Sequence, residues 1–315
     1  MHTLEPELRA LHAEGVIDGD TAARALARDR GAVFSLHAEL RAALYAGVLL
    51  VMGGLGIVLA RNLDRVGPLA IVAAIAFVAA ACVVPALRAK LAGHTASVAG
   101  DYLLLLAALL VSADLGYAER QFTLLGPSWS WHLLLLAVVH AAIAYAFASP
   151  RVLAASLATL AGWFGVGSTP GDALQVFAAT PALGARALAC AAVIAVWRLA
   201  DRRARPSSPF TDVFDHVSAN LAFLGAIAWC VHWPWLAAGL PLLAALAWVS
   251  VRRGLDTARE AFIVYGVVYA AIGLCAATLP RLNGIRSSLG FMLLVVCAAA
   301  ATLWSLRRRL AERGR

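Results

Sequence analysis

Between residues 42 and 306 the chain is a succession of apolar stretches cut by short charged or proline-bearing segments. A membrane-crossing helix needs about 20 apolar residues, since each residue rises about 1.5 Å and the hydrocarbon layer is about 30 Å thick. Residues 42–60, 68–87, 152–171, 261–280 and 287–306 meet that length without an Asp, Glu, Lys or Arg. Residues 131–148 form another span, ended by Ser149-Pro150. Residues 216–251 also lack those four residue types and are long enough to cross twice. Trp233-Pro234-Trp235 lies at their middle and predicts a hairpin turn, because proline breaks a helix and tryptophan prefers the membrane interface.

Two weaker spans carry charges. Residues 99–117 contain Asp101 and Asp114, and residues 181–200 contain Arg186. Keeping both predicts an all-α, polytopic transmembrane bundle of about ten spans. Dropping both gives the alternative of eight. Ten is favoured because residues 102–113 are too apolar to lie in water.

Composition agrees with this class. Hydrophobic residues make up 62% of the 315 and charged residues 14%, and the mean hydropathy is +0.80. Soluble domains carry roughly 25% charged residues, so a water-soluble globule is excluded. The net charge of +8 points to loops that fix orientation rather than to nucleic acid. With the N-terminus placed in the cytoplasm, ten spans put 20 of the 26 basic residues in cytoplasmic segments and five in the outer loops, with Arg186 inside a span. Both termini are then expected to be cytoplasmic, and the Ala- and Arg-rich composition points to a bacterial inner membrane. Eight spans merely exchange the sides of Arg120 and Arg151. The five cysteines lie in apolar runs with no CxxC pair, so no metal site, cofactor or disulfide framework is expected.

Residues 1–40 read as a cytoplasmic helical hairpin, residues 41–306 as the bundle and residues 307–315 as a basic tail. In the hairpin, Leu4, Leu8 and Leu11 follow helical spacing, Gly15 interrupts it, and Asp20 is the expected N-cap of a second helix. Arg24, Arg28 and Arg30 form a wet basic face that could meet anionic lipid or a protein partner.

Short motifs carry a resemblance. Leu11, Gly15-Val16-Ile17 and Thr21-Ala22 precede a first span that ends in Arg61-Asn62-Leu63-Asp64. Later come Leu115-Gly116-Tyr117-Ala118-Glu119-Arg120-Gln121-Phe122, Gly126-Pro127, the span from Trp131 and the segment from Ala154 to Phe164. Over roughly residues 1–167 this pattern resembles the bacterial family of predicted membrane proteins called domain of unknown function 2157 (DUF2157). Two positions depart from it: Leu63 stands where the family has Trp, and no His follows Phe122-Thr123. The resemblance implies topology and no chemistry.

The chain has no GxSxG, HExxH, P-loop or GxGxxG motif, so no catalytic residue is assigned. Gly53-Gly54-Leu55-Gly56 in the first span is expected to be a close helix contact. Ionisable groups within spans are the better lead, since they are costly in hydrocarbon unless they face the bundle interior or water. Arg186 could hold an anion, snorkel to the outer headgroups, or pair with Asp114 at a similar depth. His140, at mid-span, is a proton-relay candidate or, more simply, a hydrogen-bonded packing histidine. It lies eight residues from His132, too far for joint metal ligation. Asp101 and Tyr102 read as interfacial anchors. The outer loops gather Asn62, Asp64, Arg65, Glu119, Arg120, Gln121, Trp129, Trp131, His132, Asn283 and Arg286 at one level. Asp64 and Glu119 could serve acid–base work and Arg120 could bind phosphate, or the group could be an aromatic belt with its loops.

Three functions fit. A transporter or lipid-handling protein for a small-molecule or lipid-linked substrate would show a cavity near His140 or Arg186. An outer-face membrane enzyme would pair Asp64 with Glu119. A non-catalytic envelope scaffold, sensor or assembly factor would be a packed bundle with a docking face.

Overall fold

The computed structural model describes residues 11–29, 37–62, 67–93, 97–123, 130–166, 180–282 and 284–313. They form helices α1 (Gly19–Asp29), α2 (His37–Asn62), α3 (Pro68–Leu91), α4 (Val98–Phe122), α5 (Ser130–Phe147) and α6 (Pro150–Trp163). After these come α7 (Pro181–Ala204), α8 (Thr211–Val231), α9 (Leu236–Asp256), α10 (Glu260–Thr278) and α11 (Ile285–Arg313), with a 3₁₀ turn at Leu279–Arg281 before α11. No strand occurs among the described residues. The expected all-α, polytopic class is found.

Among the described residues, eight helices are long and apolar enough to cross a membrane: α2, α3, α4 and α7 to α11. Both weaker spans of the sequence, now α4 and α7, are among them. Besides the short α1, the helices that fall short are α5, with 18 residues, and α6, with 14. Pro150 opens α6, and the chain turns after Trp163 at Gly165, whose φ of 79° is left-handed. The expected span over 152–171 is therefore cut short, and residues 167–171 lie outside the described residues. A short α6 is tolerated because other helices surround it. Val152, Leu153, Ser156 and Leu157 are fully enclosed, so α6 need not match the bilayer thickness.

Ion pairs and ring contacts fix which helix ends meet. Lys90 lies over the Phe147 ring and Arg205 over the Tyr145 ring. Arg151 pairs with Asp101, Arg259 with Asp212 and Arg307 with Glu260. These contacts hold the ends of α3, α5 and α7 together, the starts of α4 and α6 together, and the starts of α8 and α10 with the last turns of α11. Lys90, Phe147, Asp101 and Arg151 line one cavity, and Arg198 ties α7 to Asp215 of α8, so all lie at one end, which we call the basic end. At the opposite end, Trp131 packs on Trp163, and Trp229 Nε1 donates to the Pro181 carbonyl. Arg120 and Arg151 thus sit at opposite ends of α4, with Arg151 at the end that holds Lys90. The hairpin turn at Trp233-Pro234-Trp235 joins α8 to α9 as expected.

Three apolar clusters line up across the bundle. One joins α2, α3 and α4 through Val48, Ile75 and Leu110. The central one wraps α6 with α4, α5, α7 and α8 through Leu104, Leu157, Ile194 and Phe214. The third joins α8, α9 and α10 through Phe223, Leu243 and Ala277.

Two local expectations are corrected. The glycines of Gly53-Gly54-Leu55-Gly56 make no close contact: a Cβ on Gly53, Gly54 or Gly56 would have nothing within 4 Å. Their side of α2 points away from the bundle, a choice of face that hydropathy cannot reveal. Close approach is found at α7–α8 instead, where a Cβ on Gly184 would lie 2.9 Å from the Gly225 carbonyl and one on Gly225 2.8 Å from the Gly184 carbonyl. The cap of α1 is Asp18, not Asp20. Asp18 Oδ1 accepts the Thr21 amide at 2.6 Å, which leaves Asp20 in the first turn. These hydrogen bonds from Thr21 hold the Asp18 carboxyl below its ordinary range.

Candidate functional site

The antiparallel pair α4 and α5 carries polar contacts at three levels. Near the opposite end, His132 Nε2 lies 3.1 Å from a Glu119 carboxylate oxygen, with both side chains buried. At mid-height, His140 Nε2 lies 2.9 Å from the Ala108 carbonyl and 3.1 Å from Ser112 Oγ. At the basic end, the Ser149 hydroxyl donates to Asp101, and Arg151 pairs with the same carboxylate. Eighteen residues of α4 separate Asp101 from Glu119, and 17 separate His132 from Ser149. At about 1.5 Å per residue, α5 therefore reaches as far as the α4 stretch beside it, despite its length of 18 residues.

The sequence candidates fall out as follows. Glu119 is buried and bound to His132, whereas Arg120 and Gln121 beside it are exposed. His140 is fully buried, and its Nδ1 has no hydrogen-bond partner among the described residues. Asp114 is half-buried, and its Oδ1 has no hydrogen-bond partner among the described residues. Arg186 is exposed, and its guanidinium lies against Gly165. Of the three readings of Arg186, the pair with Asp114 is not formed: the guanidinium lies at the turn after α6 instead. Asn62 ends α2 at the opposite end. Asp64, Arg65, Trp129 and Asn283 lie outside the described residues. Asp101 and Tyr102 are more than interfacial anchors: Tyr102 is buried under the Arg151 guanidinium, 4.4 Å from its ring centre.

A second constellation escaped the sequence reading. Asp215, in the first turns of α8, is buried between Arg198 of α7 and Arg253 of α9. Arg198 Nε lies 2.5 Å from Asp215 Oδ1, and its NH2 lies 3.3 Å from Oδ2. Above this triad a cavity of about 320 Å³ opens among α7, α8, α9 and α10. Asp215, Ser218, Ser250 and Arg253 stand at its basic end, and Leu188, Ala192, Ala222, Phe223 and Leu246 line the rest. Nearby, Tyr145 donates to Asp201 and accepts the Trp197 indole N–H. The three charged members of the triad adjoin apolar runs and read as loop charges, so only their alternation between helix ends hinted at a meeting point.

A polar cavity of about 420 Å³ lies at the basic end among α2, α3, α4, α5 and α6. A third, of about 530 Å³, is an apolar groove among α9, α10 and α11. Neither His140 nor Arg186 lines any of the three. Among the described residues, no three His, Cys, Asp or Glu side chains gather as a metal site would.

These features define a polytopic helical membrane protein whose ionisable groups are buried in pairs along the bundle and whose charged cavities open at one end. Residues 9–153 match the family described as Predicted membrane protein (DUF2157), which confirms the resemblance seen in the sequence over α1 to α5 and the start of α6. No curated protein and no solved structure matches the chain.

Proposed function

We propose that the protein is a lipid-handling protein of the bacterial inner membrane that holds an anionic amphiphile at the basic end of its bundle. By the positive-inside rule this end, with both termini, faces the cytoplasm. The observation that carries the reading is the α7–α10 cavity. It is charged at the level where a headgroup would lie, and apolar, with small side chains, where an acyl chain would run. That polarity matches a lipid rather than a soluble ion. Transport through mid-bundle has less support, because His140 is packed against Ala108 and Ser112. Outer-face acid–base catalysis has less still, because His132 engages Glu119.

The experiment is native mass spectrometry of the full chain released from detergent. The expected result is a retained anionic phospholipid that is lost in Ala195→Trp, which fills the cavity from its wall. A protein stripped bare, or the same adduct in Ala195→Trp, would overturn the reading.

A second reading, an assembly component of the envelope, is favoured by α2. Its outward side leaves Gly53 and Gly54 open and exposes Leu49, Leu50 and Ile57, a face suited to another transmembrane helix. Disulfide trapping of a Gly54→Cys variant in membranes, giving no crosslink to any protein, would sink this alternative.

A further inference from the structure

Three cations from three different helices converge on the 420 Å³ cavity. Arg41 comes from α2, Lys90 from α3 and Arg151 from α6. Among the described residues a single carboxylate, Asp101 of α4, faces them there, and it is already engaged by the Ser149 hydroxyl and by Arg151. The wall thus carries two positive charges beyond those it balances. Arg41 and Lys90 are exposed and Arg151 is half-buried, so the three cations repel one another at the rim of the cavity unless a counter-charge joins them.

Two of these cations are also held in place. Arg151 lies over Tyr102, and Lys90 lies 5.2 Å from the centre of the Phe147 ring. Donors fixed beforehand lose less freedom when a ligand arrives.

We propose that this cavity binds a phosphate-bearing anion. Arg41 and Lys90 supply the uncompensated charge. Arg151 turns one side of its guanidinium to Asp101 and keeps further N–H donors for a phosphate oxygen, a division the planar five-donor fork permits. Ala86, Val98 and Ala146 give the cavity an apolar flank where the carbon skeleton behind the phosphate would rest. A lipid headgroup and a soluble phosphate monoester offer the same chemistry, and basic pockets between helices on the cytoplasmic side are known to take phospholipid headgroups. This cavity shares no residue with the α7–α10 cavity, so the proposal stands apart from the lipid-handling reading. All of its lining residues fall within the family match.

The test uses the full chain in dodecyl maltoside, with thermal unfolding and titration by dioctanoyl phosphatidic acid, glycerol 3-phosphate and, as the zwitterionic control, dioctanoyl phosphatidylcholine. Phosphatidic acid, glycerol 3-phosphate or both should raise the midpoint, and phosphatidylcholine should not. Binding of phosphatidic acid alone assigns the site to a lipid headgroup, and equal binding of glycerol 3-phosphate assigns it to a soluble anion. The double variant Arg41→Gln/Lys90→Gln breaks no ion pair among the described residues. It should weaken binding by about tenfold or more, the loss of at least one charge-assisted hydrogen bond. Arg202→Gln/Arg203→Gln, exposed at the same end but outside the cavity, should bind as the parent does. The proposal is overturned if neither anion stabilises the protein, if Arg41→Gln/Lys90→Gln binds as tightly as the parent, or if the Arg202/Arg203 control loses as much.

Discussion

His132 and Glu119 face each other across the α4–α5 interface at 3.1 Å, with side-chain exposures of 2% and 7%. Removing one member leaves the other buried with part of its polar demand unmet. His132→Leu should therefore cost about 3 kcal/mol of stability, in the range for breaking a buried pair. Glu119→Gln, which keeps a hydrogen-bonding group at the site, should cost less. Thermal unfolding in detergent measures both, and parent-like midpoints for both variants would refute the pairing.

Asp215 ties three helices together through Arg198 and Arg253. Asp215→Ala leaves two guanidinium groups confronting each other and should destabilise by about 3 kcal/mol or more. Adding Arg198→Met to that variant should restore part of the loss, because one uncompensated cation is removed. A double variant less stable than Asp215→Ala would count against the triad as the fastening of this end.

The glycines divide into two kinds. At Gly184 a Cβ would lie 2.6 Å from Trp229 Cδ1 and 2.9 Å from the Gly225 carbonyl. Gly184→Val should force α7 and α8 apart, at about 1–3 kcal/mol as for other overpacked sites. Gly53→Ala meets nothing within 4 Å and should be neutral or stabilising, by at most about 1 kcal/mol of helix propensity. The comparison is made on unfolding midpoints in one detergent.

Asp18 caps α1 through the Thr21 amide. Its pKa is lowered in the folded chain, chiefly by the hydrogen bonds from Thr21. A depressed carboxyl contributes stability above its unfolded pKa, near 3.8, and that contribution is lost as the pH falls through the lower folded value. The Thr21 amide resonance should accordingly move with an apparent pKa below 3.8. Asp18→Ala should abolish that titration and Asp20→Ala should leave it, whereas the reverse pattern would restore Asp20 as the cap.

Much of the architecture was readable because the bilayer imposes length and charge rules on every span. Residues 99–117 and 181–200 lie in helices long and apolar enough to span, since uninterrupted apolar turns outweigh one or two charges. The asymmetry of arginine distribution anticipated a basic end where Arg151, Lys90 and Arg253 gather. Facing was harder to read. The helices of the bundle are apolar on nearly every side, so nothing in the pattern said that Gly53 looks outward while Gly184 meets Gly225. Burial of charge was harder still. Asp215 and its two arginines sit within a few residues of the span ends, where a loop residue and a buried ion triad have the same sequence signature. Asp114 and Arg186 matched in depth but not in direction around the bundle, which only packing decides.

Lipid handling at the basic end is tested most directly by mapping where a lipid sits. The full chain in nanodiscs would be irradiated with a photoactivatable phosphatidylglycerol, and the adducts located by peptide mass spectrometry. The account predicts labels concentrated on α7, α8 and α9 around Ala192, Ala222 and Leu246, and lost in Ala195→Trp. Labels spread evenly over the outward faces of all helices, and unchanged by that substitution, would contradict it.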